Sequence, residues 1–154
     1  EREHIGYTFV ERELNPRTTR LGMFSNKLPA TRSGTGGMDL LLRSSVGLPV
    51  VGEVKVQRDK NAFFALIQAM TYAVEMSTPN QLKRLNIWIK NRGECKFANH
   101  AVEIVILLVN AHHDDNTLTP VQGLIKILNT RNECEGLNHI GLLQNNEEGW
   151  SKHQ

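Results

Sequence analysis

The run Val102–Val109, Val-Glu-Ile-Val-Ile-Leu-Leu-Val, constrains this chain of 154 residues more than any other segment. A strand with one wet face alternates apolar and polar residues, so a nearly continuous apolar run fits a strand buried on both faces. Such a strand belongs in the middle of a sheet with other elements layered on it. Asp59 to Met76 supplies one layer: Phe63, Phe64, Ile67, Met70 and Val74 recur at helical spacing, and Asp59 is placed as the N-cap. Ser77-Thr-Pro79 ends that helix. Thr119-Pro120 reads as an N-cap and first-turn proline for a second helix from about Val121 to Leu128, with Ile125 and Leu128 toward the core.

Two short apolar segments, Met38–Arg43 and Pro49–Val56, read as the arms of a β-hairpin, and Leu85-Asn-Ile-Trp-Ile89 alternates like a further strand before a turn at Asn91-Arg-Gly93. The expected order is hairpin, helix, strand, strand, helix. That is an α/β domain with a central mixed sheet flanked by helices. Residues 1–14 suit a helix, with Ile5, Phe9, Val10 and Leu14 on one side, and equally a strand through Tyr7, Phe9 and Val10. Asn15-Pro16 ends it, and the stretch to Gly37 is rich in Arg, Thr, Ser and Gly.

The hairpin carries the chemistry. If its arms pair about a turn centred on Val46, opposed residues have numbers summing to 92, which sets Asp39 across from Glu53. Side chains on a strand alternate faces, so Lys55 projects on the same side as both acids. Opposed like charges destabilise a bare sheet. A hard divalent cation, Mg²⁺, would offset them, since it prefers carboxylate and water oxygens and keeps waters that a phosphate can replace. The plain alternative is a surface hairpin with solvated charges.

On the helix that follows, Gln68 and Tyr72 stand four residues apart and share a face. The succession Gly36-Gly37-Met38-Asp39, then Glu53-Val54-Lys55, then Gln68-Ala-Met-Thr-Tyr72 resembles the PD-(D/E)XK nuclease superfamily, and within it the RecB-like branch with its Gln-x-x-x-Tyr motif. The resemblance covers residues 36–76. Met38 stands where the superfamily's name has proline. The resemblance implies a restriction-endonuclease-like core and a Mg²⁺-dependent nuclease hydrolysing DNA in repair, recombination or defence, with Mn²⁺ as a substitute ion. It implies Asp39, Glu53 and the Val54 carbonyl as metal ligands, Lys55 as the third catalytic group, and Gln68 and Tyr72 flanking the substrate. An acidic residue on a helix ahead of the first strand often completes such sites, and Glu3, Glu11 and Glu13 are the candidates here. A catalytically silent domain of the same fold, binding nucleic acid or a protein partner, is the second reading.

Composition is compatible with this. The length fits a single domain, 1–154, that can bury a core without disulfides. A formal charge of +2 and a pI near 8.7 permit nucleic-acid binding without demanding it. Arg43, Lys60, Lys83, Arg84, Lys90, Arg92 and Lys96 are candidates for a phosphate-tracking surface, with an ordinary solvated exterior as the alternative. Cys95 and Cys134 lack metal-ligand spacing and read as reduced and structural. No stretch approaches the ~20 apolar residues of a membrane span, and an intracellular protein is expected. The start at Glu1 suggests a domain cut from a longer chain. Cutting both strands of a duplex calls for two sites, hence a homodimer, and an additional domain is another source of specificity.

Other motifs have plainer readings. Ser33-Gly-Thr-Gly-Gly37 lacks the Gly-Lys-Ser/Thr ending of a P-loop and instead lets a substrate approach Asp39 closely. His112-His113-Asp114-Asp115, continuing through Asn116 and Thr117, reads as a polar loop. Trp88 reads as a core or rim residue, and Trp150 lies in a charged tail.

Overall fold

The computed structural model describes residues 6–14, 37–56, 61–98, 100–110, 115–131, 136–146 and 149–153. Its elements are β1 (Tyr7–Leu14), β2 (Met38–Ser44), β3 (Pro49–Val56), α1 (Ala62–Met76), α2 (Pro79–Asn91), β4 (Val102–Val109), α3 (Asp115–Thr130), β5 (Leu137–Asn146) and β6 (Gly149–His153). The six strands form one mixed sheet in sequence order. β3, β4 and β5 run parallel to one another, and the remaining neighbours pair antiparallel.

Parallel neighbours need crossovers. The link from β3 to β4 carries α1 and α2, and the link from β4 to β5 carries α3. Both step the same way across the sheet, so right-handed connection puts all three helices on one face. Their buried residues, among them Ala65, Leu66, Leu85, Ile89 and Ile125, join one core with Leu41, Val51, Ile104, Ile106, Leu108 and Leu142 of the strands.

The opposite face is buried differently. Leu42, Val50, Val105 and Leu143 form a second cluster with Tyr7, Leu40 and Leu107, and no helix residue joins it among the described residues. A methyl group built on Gly141 of β5 would sit 3.7 Å from the Tyr7 hydroxyl of β1. In a flat sheet those strands, four places apart, would be separated by about 19 Å. The sheet therefore coils until β1 leans over β5 and its concave face closes on itself. Glu103 of β4, the one acid of the apolar run, accepts a 2.8 Å hydrogen bond from Asn138 Nδ2.

The hairpin has the expected register. Leu40 pairs with Gly52, Leu41 with Val51, Leu42 with Val50 and Arg43 with Pro49. The turn is closed by Ser44 N–H to the Leu48 carbonyl (3.0 Å) and Gly47 N–H to the Ser44 carbonyl (2.9 Å), with Gly47 at φ +84°. A left-handed third loop residue is what a three-residue hairpin requires, and glycine adopts it without steric cost. Gly52 matters for another reason: a Cβ there would lie 2.9 Å from Leu40 Cβ across the ladder. Gly52→Ala is therefore expected to destabilise the fold by roughly 1–3 kcal/mol in urea unfolding, from overpacking between two paired strands.

Several expectations are corrected. Leu85–Ile89 is part of helix α2, not a strand: Pro79 occupies its first turn, and Leu82, Leu85 and Ile89 are buried at helical spacing. The turn at Gly93 does follow, with φ +76°. α1 is capped by Asn61, whose Oδ1 accepts from Phe64 N–H at 2.8 Å, rather than by Asp59, which lies outside the described residues. α3 starts at Asp115 and carries Pro120 inside it, so Asn116 and Thr117 are helical rather than loop. His112, His113 and Asp114 lie outside the described residues. Residues 7–14 form a strand, and β5 and β6 were not anticipated. Trp150 sits on β6 in register with Asn145. Cys95 is a free thiol but exposed, so it is not a core residue; Cys134 lies outside the described residues. No helix among the described residues is long and apolar enough to cross a membrane.

Candidate active site

Antiparallel alternation starting from the Ser44–Leu48 closure would give Val54 N–H to the Met38 carbonyl. The ladder instead ends at Leu40 and Gly52, and Val54 N–H donates to Asp39 Oδ2 at 2.8 Å. The Asp39 carboxylate thus stands in for a backbone carbonyl where β2 and β3 part, which fixes it against the strand end that carries Glu53 and Lys55. One Asp39 oxygen is held, and the carboxylate stays partly open to solvent.

Glu53 and Lys55 belong to the same alternate set of β3 as Val51, which packs in the helix-side core. Both are buried, with Lys55 Nζ 3.3 Å from Glu53 Oε1 and side chains 7% and 2% exposed. Lys55 Nζ also lies 5.6 Å from the centre of the Phe64 ring on α1, within cation–π range. From the helix side, Tyr72 closes the arrangement. Burial pushes its pKa above 10, the Gln68 hydrogen bond to its hydroxyl pulls the other way, and the charges of Glu53, Asp39 and Glu75 raise it further. Both hairpin acids therefore lie on the α1 side of the sheet, near enough for their charges to act on the same phenol. Gln68 Oε1 is buried and has no hydrogen-bond partner among the described residues.

The structure thus brings Asp39, Glu53, Val54, Lys55, Gln68 and Tyr72 together. Of the candidate further acids, Glu11 is held elsewhere, by Arg92 Nη1 at 2.7 Å. Glu13 stands level with Asp39 in register, between the pairs Arg12/Leu40 and Leu14/Met38, but it is exposed with a left-handed φ of 52°. Glu3 lies outside the described residues, as do Gly36 and the rest of the glycine run except Gly37. Two of the candidate phosphate-tracking residues have structural roles. Arg43 donates to the Cys95 carbonyl and stacks 4.6 Å over Phe97, and Arg92 binds Glu11 and Glu94 while lying 4.8 Å over Trp88. Lys60 lies outside the described residues. Trp88 packs half-buried against the core.

Sequence reading missed two side chains here, Phe64 and Glu75. The first is detectable as the residue one turn before Gln68 in an i, i+4, i+8 row ending at Tyr72. Glu75 lies three residues past Tyr72 and is marked only by that spacing.

Among the described residues no group of three or more His, Cys, Asp and Glu side chains is placed to hold a metal. Asp39 and Glu53 stand on the α1 side of neighbouring strands, with Asp39 tied to the residue after Glu53, and Mg²⁺ characteristically uses one or two carboxylates and completes its shell with water and phosphate. The donors are all oxygen, so the set fits a hard ion and not a thiolate- or imidazole-seeking one.

The chain has two tyrosines, and both are shifted the same way: Tyr7 is raised by burial and then by Glu103. An alkaline titration followed by phenolate absorbance is expected to show no normal tyrosine, with both midpoints above 10 in the folded protein. In that range the unfolded chain loses its phenolic protons first, so stability is complete below pH 10 and falls as pH rises toward the folded-state values.

The chain matches no protein-family model, no curated protein and no solved structure.

Proposed function

We propose that this chain is a metal-dependent nuclease of the PD-(D/E)XK type, RecB-like branch, with a restriction-endonuclease-like core, hydrolysing phosphodiester bonds of DNA. The observation that carries the reading is the Val54 N–H to Asp39 hydrogen bond, because it locks one acid beside the buried Glu53–Lys55 pair. Surface charges have no reason to be held in this way. Burying an ion pair is costly to stability unless something else is gained.

Asp39, Glu53 and the Val54 carbonyl would hold Mg²⁺, or Mn²⁺ in its place. When bound, that ion supplies Lewis acidity toward a phosphate oxygen and an attacking water. The chain's own residues do the rest. Glu53 fixes Lys55 through the 3.3 Å contact, and the Lys55 ammonium donates to the oxygens on which charge develops. Tyr72 keeps its proton at neutral pH, so its hydroxyl is a hydrogen-bond donor toward the phosphate backbone. Gln68 orients Tyr72 with its amide and leaves Oε1 to accept from the substrate or its water.

The test is incubation with single-stranded, duplex and branched DNA in Mg²⁺, Mn²⁺ or EDTA. Cleavage in either ion and none in EDTA is expected. Tight binding without cleavage in any metal would overturn hydrolysis and leave a silent nucleic-acid-binding domain.

A further inference from the structure

The apolar residues of α1 are placed against expectation. The helix turns Ala62, Ala65, Leu66, Ala69, Ala73 and Met76 inward, while Phe63, Phe64 and Ile67 are 51%, 54% and 46% exposed. Large apolar side chains left in water are unexceptional singly. Phe64 is not isolated, because it begins the row that continues through Gln68 and Tyr72, and residues four apart on a helix share a face. At one end of this row Tyr72 feels Asp39 and Glu53, and at the other Phe64 borders the Lys55 ammonium. An aromatic ring half in water thus stands directly beside the buried amine of the site.

We infer that Phe64 is a stacking platform for an unpaired nucleobase next to the scissile phosphate, so that the site takes a single strand or a frayed end in preference to closed duplex. This rests on the nuclease reading above. A phosphate-binding site, on that reading, and a flat apolar face held side by side match a ligand that joins an anion to a planar aromatic group, which is what a nucleotide is. Within a closed duplex both faces of a base are already stacked, so only an unpaired nucleotide can offer one to Phe64. Stacking is tolerant of base identity, and the platform carries no sequence preference. The contact with Lys55 fixes the ring in advance, which lowers the ordering cost of binding.

The test compares wild type, Phe64→Ala and Phe64→Trp for binding a labelled oligothymidylate and a matched duplex by fluorescence anisotropy, with Ca²⁺ replacing Mg²⁺. Circular dichroism checks that the variants fold, which an exposed position favours. Phe64→Ala is expected to weaken single-strand binding about tenfold, the usual scale of one base–aromatic stack. Duplex binding stays unchanged, and Phe64→Trp restores the loss. Equal single-strand affinity for Phe64→Ala and wild type overturns the inference. So does a change in sedimentation on Phe64→Ala without a change in strand binding, which would assign the face to a protein partner. Wild type that cleaves in Mg²⁺ while Phe64→Ala binds normally removes the platform alone. Wild type that never cleaves but loses strand affinity on Phe64→Ala removes hydrolysis alone and upholds the platform.

Discussion

Lys55→Met is expected to destabilise the protein by about 3–5 kcal/mol, the scale for removing one member of a buried ion pair. Its side chain is 7% exposed and Glu53 is 2% exposed, so the variant leaves a buried carboxylate without the ammonium that sits 3.3 Å from it. The methionine stem itself fits, because it resembles the lysine stem in length, so the loss is one of charge rather than of volume. Urea unfolding of Lys55→Met, Glu53→Gln and the double variant checks this. The double variant is expected to recover most of the lost stability, since no buried charge is then left without its counterpart, and the coupling between the two sites measures the pair. Activity is expected to be lost in all three. Stability losses that simply add would show that the contact is not energetically coupled, and the account of the pair would fail.

Asp39→Asn separates function from fold. Asparagine keeps an oxygen that can accept from Val54 N–H, so the link holding β2 to the end of β3 survives. The negative charge does not. If a hard cation is held between Asp39 and Glu53, losing one of two carboxylates removes several kcal/mol of transition-state stabilisation, and kcat/KM in Mg²⁺ is expected to fall by about a thousandfold or more. Stability is expected to change by less than about 1 kcal/mol, as for a hydrogen bond replaced by a similar one. Single-turnover cleavage alongside thermal unfolding measures both. Undiminished cleavage by Asp39→Asn would remove Asp39 from the site and point to a contaminating nuclease.

The elements visible in the sequence were those whose signal is local. The hairpin register follows from two alternating arms and a short turn, and it places Asp39, Glu53 and Lys55 on one face of the hairpin. The run Val102–Val109 forms β4 with the same bounds, because a doubly buried strand needs apolar residues at nearly every position. Elements decided by distant partners were misread. Five alternating residues, Leu85–Ile89, suit a strand and a helix equally, and the proline ahead of them, which reads as a stop, is the first turn of α2. β5 carries Asn138, His139, Gly141 and Gln144 among its apolar residues. It forms because β4 offers it a parallel ladder, not because of its own propensity. α1 misled for a steric reason. A helix packed close on a sheet buries its small residues, so its alanines face inward with Leu66 and Met76, and of the residues that mark its periodicity Phe63, Phe64, Ile67 and Val74 face out while Met70 packs against the core.

By itself, the sequence determined the α/β class, the pairing of the two hairpin arms, and the set of charges on the arm face, since each depends on residues a few positions apart and on the two-residue period of a strand. Only the tertiary structure decided that α1 lies over that face, that the sheet coils until Tyr7 reaches Gly141, that Arg92 draws Glu11 away, and that Phe64 stands at the rim. Those outcomes depend on crossover handedness, sheet coiling and competition among distant partners for the same surface, and no local pattern encodes them.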